Sequence, residues 1–99
     1  SGSSIAYCAS KGALNTMTKS LARSLAPEVR VNAVCPGPIE SRWIREGSPG
    51  TSIESMVSDY PIPKASLPGD IADAVVFFAL GTSMATGQLL SVDGGQTLG

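Results

Sequence analysis

Two runs of this chain have the makings of β-strands, residues 29–35 and residues 88–92. In the first, Val29, Val31 and Ala33 alternate with Arg30 and Asn32, and Val34-Cys35 continues the apolar run. Pro36-Gly37-Pro38 then stops it. The second, Gln88 to Val92, closes on Asp93-Gly94-Gly95. Helix-forming sequence lies between them, and strand–helix–strand alternation predicts a parallel pair with a right-handed crossover. Two parallel strands leave open edges and bare helix faces. The predicted fold class is therefore α/β, the last third of a doubly wound parallel sheet. Residues 1–99 are expected to form part of a single larger domain and not to fold independently.

The helices follow from periodicity. Ala13, Leu14, Met17, Leu21 and Leu25 recur at helical spacing within a segment from Ala6 to about Ala26, and Pro27 favours an end just before it. Gly12 inside that helix costs roughly 1 kcal/mol against Ala and suggests a close approach by something. Asp70 is the expected N-cap of a second firm helix, Ile71 to about Leu80, with Gly81 as its stop. A short helix is predicted within residues 52–60. Residues 37–50 read as a long turn-rich loop carrying Trp43 and Ile44, a length more usual in a functional covering loop. Pro61, Pro63 and Pro68 make residues 61–69 an irregular connection.

Charge and residue usage narrow the function classes. Seven basic and eight acidic residues give a net charge of -1, which argues against nucleic acid or an acidic membrane surface as the main partner. The longest apolar run, Ala74 to Leu80, is too short to cross a bilayer. The two cysteines, Cys8 and Cys35, form no disulfide framework and no zinc spacing, and read as small buried hydrophobes in a reducing, cytoplasmic setting. With no histidine, the usual catalytic triads and zinc sites are excluded, and no metal site is expected. Acid–base work falls to Tyr, Lys or carboxylates. The chain does not open with Met and reads as a piece of a longer protein.

Tyr7 and Lys11 supply such a pair. Four residues is about one helical turn, so both side chains leave one face. A cation beside a phenol favours the phenolate. A Tyr so tuned can give a proton to a carbonyl oxygen or take one from an alcohol. Taken alone, the pair reads equally as an aromatic on a buried edge beside a solvated amine.

The motifs around that pair resemble those of the short-chain dehydrogenases/reductases over nearly the whole chain. Tyr7-Cys8-Ala9-Ser10-Lys11 is similar to the family's Tyr-x-x-x-Lys active-site motif. Asn32-Ala33-Val34-Cys35-Pro36-Gly37 is similar to its cofactor segment, Pro68-Gly69-Asp70-Ile71-Ala72 to the start of its penultimate helix, and Val92-Asp93-Gly94-Gly95 to the exit of its last strand. The resemblance implies the C-terminal portion of a Rossmann-type domain in an NAD- or NADP-dependent oxidoreductase. Such an enzyme moves hydride between the nicotinamide and a small-molecule carbonyl or secondary alcohol. It implies Tyr7 as general acid/base and Lys11 as the residue that lowers the Tyr7 pKa and binds the nicotinamide ribose. Pro36 and Gly37 would carry the backbone past the nicotinamide ring, Ile39 would offer its N–H to the carboxamide, and Ser41 would add a hydroxyl there. Asn32 belongs to the strand frame. The competing reading is a non-catalytic relative kept as a binding or assembly module.

The departures bear on the segment alone. The family's catalytic Ser and Gly-rich phosphate loop lie upstream of what this chain contains, and Ser1, Ser3 and Ser4 stand too close to Tyr7 to replace the former. Residues 1–99 are thus expected to bind cofactor poorly. Trp43 and Ile44 are equally placed to line a substrate pocket or to anchor their loop. Arg42 and Arg45 read as solvated charge, and Cys8 as packing. The family's habit and the apolar surface of the first helix and the C-terminal part together imply a homotetramer or homodimer.

Overall fold

The structure, a computed structural model, describes residues 5–40 and 52–98, and for residues 5–8 the helix path alone. Helix α1 (Ile5–Leu25) leads to strand β1 (Ala33–Pro36). A short helix, α2 (Ile53–Val57), precedes α3 (Pro68–Val76), which widens into a π-type turn over Phe77–Gly81. Strand β2 (Leu89–Val92) and a 3-10 turn over Gln96–Leu98 complete the described chain. The strands run parallel, Ala33 opposite Leu89 and Pro36 opposite Val92, and α3 packs on both of them. The architecture is α/β, a fragment of a doubly wound sheet, as strand–helix–strand alternation requires.

β1 is shorter than the alternating run 29–35 predicted. Residues 30–32 are bound to the segment before β2 largely through side chains. Arg30 Nη1 donates to the Ala85 carbonyl at 3.1 Å. Val31 donates its N–H to Thr86 Oγ1 at 3.1 Å and accepts from the Gly87 N–H at 2.7 Å. Asn32 donates from Nδ2 to the Ala85 carbonyl (2.9 Å) and accepts the Gln88 N–H at Oδ1 (3.0 Å). The cause is local: Gly87 has a φ of 73°, which turns the chain out of line just before β2. A regular ladder cannot pass that bend, and the Asn32 amide stands in for a peptide group there.

The start of α3 also differs from expectation. The helix begins at Pro68, whose fixed φ and missing N–H suit a first turn. Asp70 is therefore the third helical residue and not the N-cap. Its carboxylate reaches back to accept the Leu67 N–H at 2.8 Å. Gly81 ends the π-type turn for lack of room, since a Cβ there would lie 2.7 Å from Phe77 Cδ1. In α2 the Ser52 hydroxyl caps the helix by accepting the Ser55 N–H at 3.1 Å. The connection 61–66 is more ordered than its prolines suggested. Ser66 donates to Pro38 O at 3.1 Å and accepts from the Glu40 N–H at 2.7 Å, a parallel bridge centred on Ile39.

Little apolar surface is enclosed. Among the described residues the buried apolar side chains are Ala22, Val57 and Ala74, with Thr18 buried beside them and donating to Leu14 O at 2.8 Å. Leu14, Met17, Leu21 and Leu25 form an exposed stripe along α1, between 38% and 54% accessible. Nothing described comes within 4 Å of a Cβ at Gly12, so the close approach expected there is not found among the described residues. Two alanines and a valine bury too little area to offset the ordering of this many residues. We predict that residues 1–99 expressed alone will melt broadly in a calorimeter. A sharp, reversible transition of a monomer would contradict this.

Candidate active site

Parallel pairing brings both strands to an end at one edge of the sheet, the edge where open α/β sheets bind ligands. β1 passes there into Pro36-Gly37-Pro38 and β2 into Asp93-Gly94-Gly95. A cleft of about 310 Å³ lies beside this edge, walled by Lys11 and Leu14 of α1, Cys35 and Pro36 of β1, and Asp93 and Gln96 beyond β2. A hollow of about 450 Å³ between α3 and the 61–66 connection is larger but does not include Lys11. The smaller cleft is the candidate site, because it holds the cation that the Tyr-Lys pair requires.

The structure thus brings together Lys11 and Pro36, two of the residues singled out from sequence. Lys11 is half-buried, and α1 runs unbroken through position 7, one turn before it. The Tyr7 and Cys8 side chains lie outside the described residues, as do Ser1, Ser3, Ser4, Ser41, Arg42, Trp43, Ile44 and Arg45. Cys35 is a half-buried free thiol in the cleft wall. No group of three or more His, Cys, Asp or Glu side chains suited to a metal ion occurs among the described residues. Nor is any helix among them long and apolar enough to cross a membrane.

Gly37 continues the ladder by donating its N–H to Val92 O at 3.2 Å. A Cβ on Gly37 would stand 2.8 Å from Asp93 Cβ and 3.0 Å from Asp93 Cα, so only glycine allows the two strand exits to touch. Asp93 in turn organises its own turn: Oδ1 accepts the Gly95 N–H at 3.0 Å, and Oδ2 accepts the Thr97 hydroxyl at 3.1 Å. Gly94 and Gly95, at φ of 65° and 89°, form a turn pressed against Ile62 and Pro61.

Ile39 lies farther along. In its bridge the flanking Pro38 carbonyl and Glu40 N–H face Ser66. Successive peptide groups alternate direction in extended chain, so the Ile39 N–H is turned to the opposite side.

Asp93, Gln96 and Leu14 were missed as members of the site. The signal for the first two was available: parallel strands end together, so whatever follows Val92 must meet whatever follows Pro36.

Residues 1–97 match the family model described as Enoyl-(Acyl carrier protein) reductase. The short-chain dehydrogenase/reductase homolog YusR of Bacillus subtilis is 38% identical over 97 residues, covering 98% of this chain and 73% of that protein. The chain belongs to the short-chain dehydrogenase/reductase family. It spans only 37–39% of the length of other curated relatives in this family. The solved short-chain dehydrogenase/reductase folds show the same architecture. Ligand-free aldohexose dehydrogenase of Thermoplasma acidophilum superposes with a TM-score of 0.85 at 33% identity, covering all of this chain and 43% of that one. A 4-hydroxyisoleucine dehydrogenase mutant complexed with NADH and succinate gives 0.80 at 33% identity, over 95% of this chain and 40% of that one. A small-chain dehydrogenase in complex with NADPH gives 0.77 at 34% identity, over 94% and 43%.

The Gly37 contact makes a paired prediction for a complete short-chain dehydrogenase/reductase carrying this segment. Gly37→Ala should destabilise it by about 1–3 kcal/mol, as overpacking at a closed contact does. Gly12→Ala, at an open helical position, should stabilise it by up to about 1 kcal/mol. Urea denaturation of both variants checks the signs, and equal effects would overturn the distinction.

Proposed function

We propose that the complete protein is an NAD- or NADP-dependent oxidoreductase acting on a small-molecule carbonyl or secondary alcohol. Tyr7 is its general acid/base and Lys11 its partner. The observation that carries this reading is the arrangement of α1. It runs unbroken through positions 7 and 11, one turn apart, and sets Lys11 in a cleft shared with Pro36 at the carboxyl edge of the strands. Relatives of the same fold complexed with NADH and with NADPH support a nicotinamide cofactor without choosing between the two.

The residues present fit such a group. Lys11 would hold the nicotinamide ribose. Pro36 and the bare Gly37 would let the backbone pass close to the ring. The Ile39 N–H, turned away from Ser66, would be available to the carboxamide, with the Ser41 hydroxyl beside it. When bound, the nicotinamide supplies or accepts the hydride. The chain's own part is proton transfer: Tyr7 protonates the carbonyl oxygen in reduction or takes the hydroxyl proton in oxidation, and the Lys11 cation favours the phenolate that remains.

Residues 1–99 would be the C-terminal segment of one cofactor-binding domain, inactive without the phosphate-binding part. The free Cys35 thiol supports a reducing, cytoplasmic setting. The stripe Leu14, Met17, Leu21, Leu25 and the exposed Val76, Phe77 and Leu80 support self-association, as a homotetramer or homodimer.

Two tests follow. In the complete enzyme, Tyr7→Phe should lower turnover by at least about 100-fold while leaving cofactor binding near normal; near-normal turnover would remove Tyr7 from the mechanism and favour a non-catalytic role. Sedimentation of the complete protein at micromolar concentration should show a tetramer or dimer, and a single monomeric species would rule out the assembly.

A further inference from the structure

The segment after β2 does more at the cleft than end the sheet. Besides its contact with Asp93, a Cβ on Gly37 would lie 3.2 Å from Gln96 Oε1. The Gln96 side-chain amide therefore covers the bare face of the Pro36-Gly37 turn, and Gln96 walls the same cleft as Lys11 and Pro36. The base of that side chain is held in place. The Gln96 N–H donates to Asp93 O at 3.2 Å, and the Asp93 carboxylate takes the Gly95 N–H at 3.0 Å and the Thr97 hydroxyl at 3.1 Å. Asp93 thus fixes the residues on both sides of Gln96, and Gln96 rests on the turn.

We propose that Gln96 is a positioning residue for the nicotinamide end of the cofactor, acting through the Pro36-Gly37 turn. The proposal rests on the cofactor reading given above and extends it to a residue outside the Tyr-Lys pair. Gly37 has no side chain of its own to limit how far its peptide groups swing. The Gln96 amide supplies that limit from outside, by contact. The effect is local to one end of the dinucleotide. The adenosine diphosphate end would be held by parts of the protein outside this chain, so it has no reason to sense Gln96.

That asymmetry is what a test can read. The complete protein and its Gln96→Ala and Gln96→Met variants are titrated with NADH and NADPH by fluorescence. They are titrated with ADP-ribose and its 2′-phosphate, which lack the nicotinamide, by calorimetry. Gln96→Ala should weaken binding of the preferred dinucleotide about fivefold, the size of one lost contact, and leave its nicotinamide-free counterpart unchanged. Gln96→Met, of similar length, should restore dinucleotide affinity to within about twofold, because the limit is set by contact. Equal weakening of both ligand types, or no weakening of either, overturns the proposal while the cofactor reading stands. A wild-type protein that binds neither dinucleotide overturns both.

Discussion

Parallel pairing of β1 with β2 is the constraint on which the rest of this structure depends. Hydrogen bonding between parallel strands forces both chains to leave the sheet at one edge, and a crossover must return the chain to the opposite edge in between. α3 lies on both strands because it belongs to that crossover. The Pro36-Gly37 and Asp93-Gly94 turns meet because each follows the end of a strand, and Lys11 shares their cleft because α1 passes beside that edge. The chemistry attributed to the site therefore depends on a register of only four residue pairs.

Those four pairs are strengthened at both ends by contacts that are not ladder bonds. At the entrance, Arg30, Asn32 and Thr86 carry the connection past the bend at Gly87 with side-chain hydrogen bonds. At the exit, the closeness of Gly37 to Asp93 does the same by shape. Each device is a response to a local irregularity, a left-handed glycine in one case and a proline-rich turn in the other. The short ladder can serve as a framework because its ends are fixed in this way.

Much of this was legible in the residues. The α/β class, the parallel pair, the extent of α1 and the short helix at Ile53–Val57 follow from hydrophobic period and turn residues, and the structure agrees. The limits of β1 were not legible, because alternation from Val29 to Ala33 reports side-chain faces and not whether the backbone is paired. Asp70 was read as a cap because Asp favours that position; Pro68 took the first helical turn instead, and the carboxylate serves the same start from inside it. Gln96 lay outside any motif, and only the geometry of two strands ending together brings it to the cleft. The Lys11 placement agrees with the reading of the Tyr-Lys pair, whereas the Tyr7 side chain lies outside the described residues.

The fit of Gly37 against Asp93 has a consequence for how such a chain can vary. Sliding β2 by one residue along β1 would turn every side chain of β2 to the wrong face and set Asp93 against a residue that carries a Cβ. The contact works as a key that admits one alignment of the two strands. Asn32 and Gln88, which lie 56 residues apart in sequence, fix the same alignment from the other end. Since closing a longer loop costs only slightly more entropy, the connection between the strands can lengthen or shorten with little effect on which residues meet. Length variation in the crossover is thereby uncoupled from alignment at the catalytic edge.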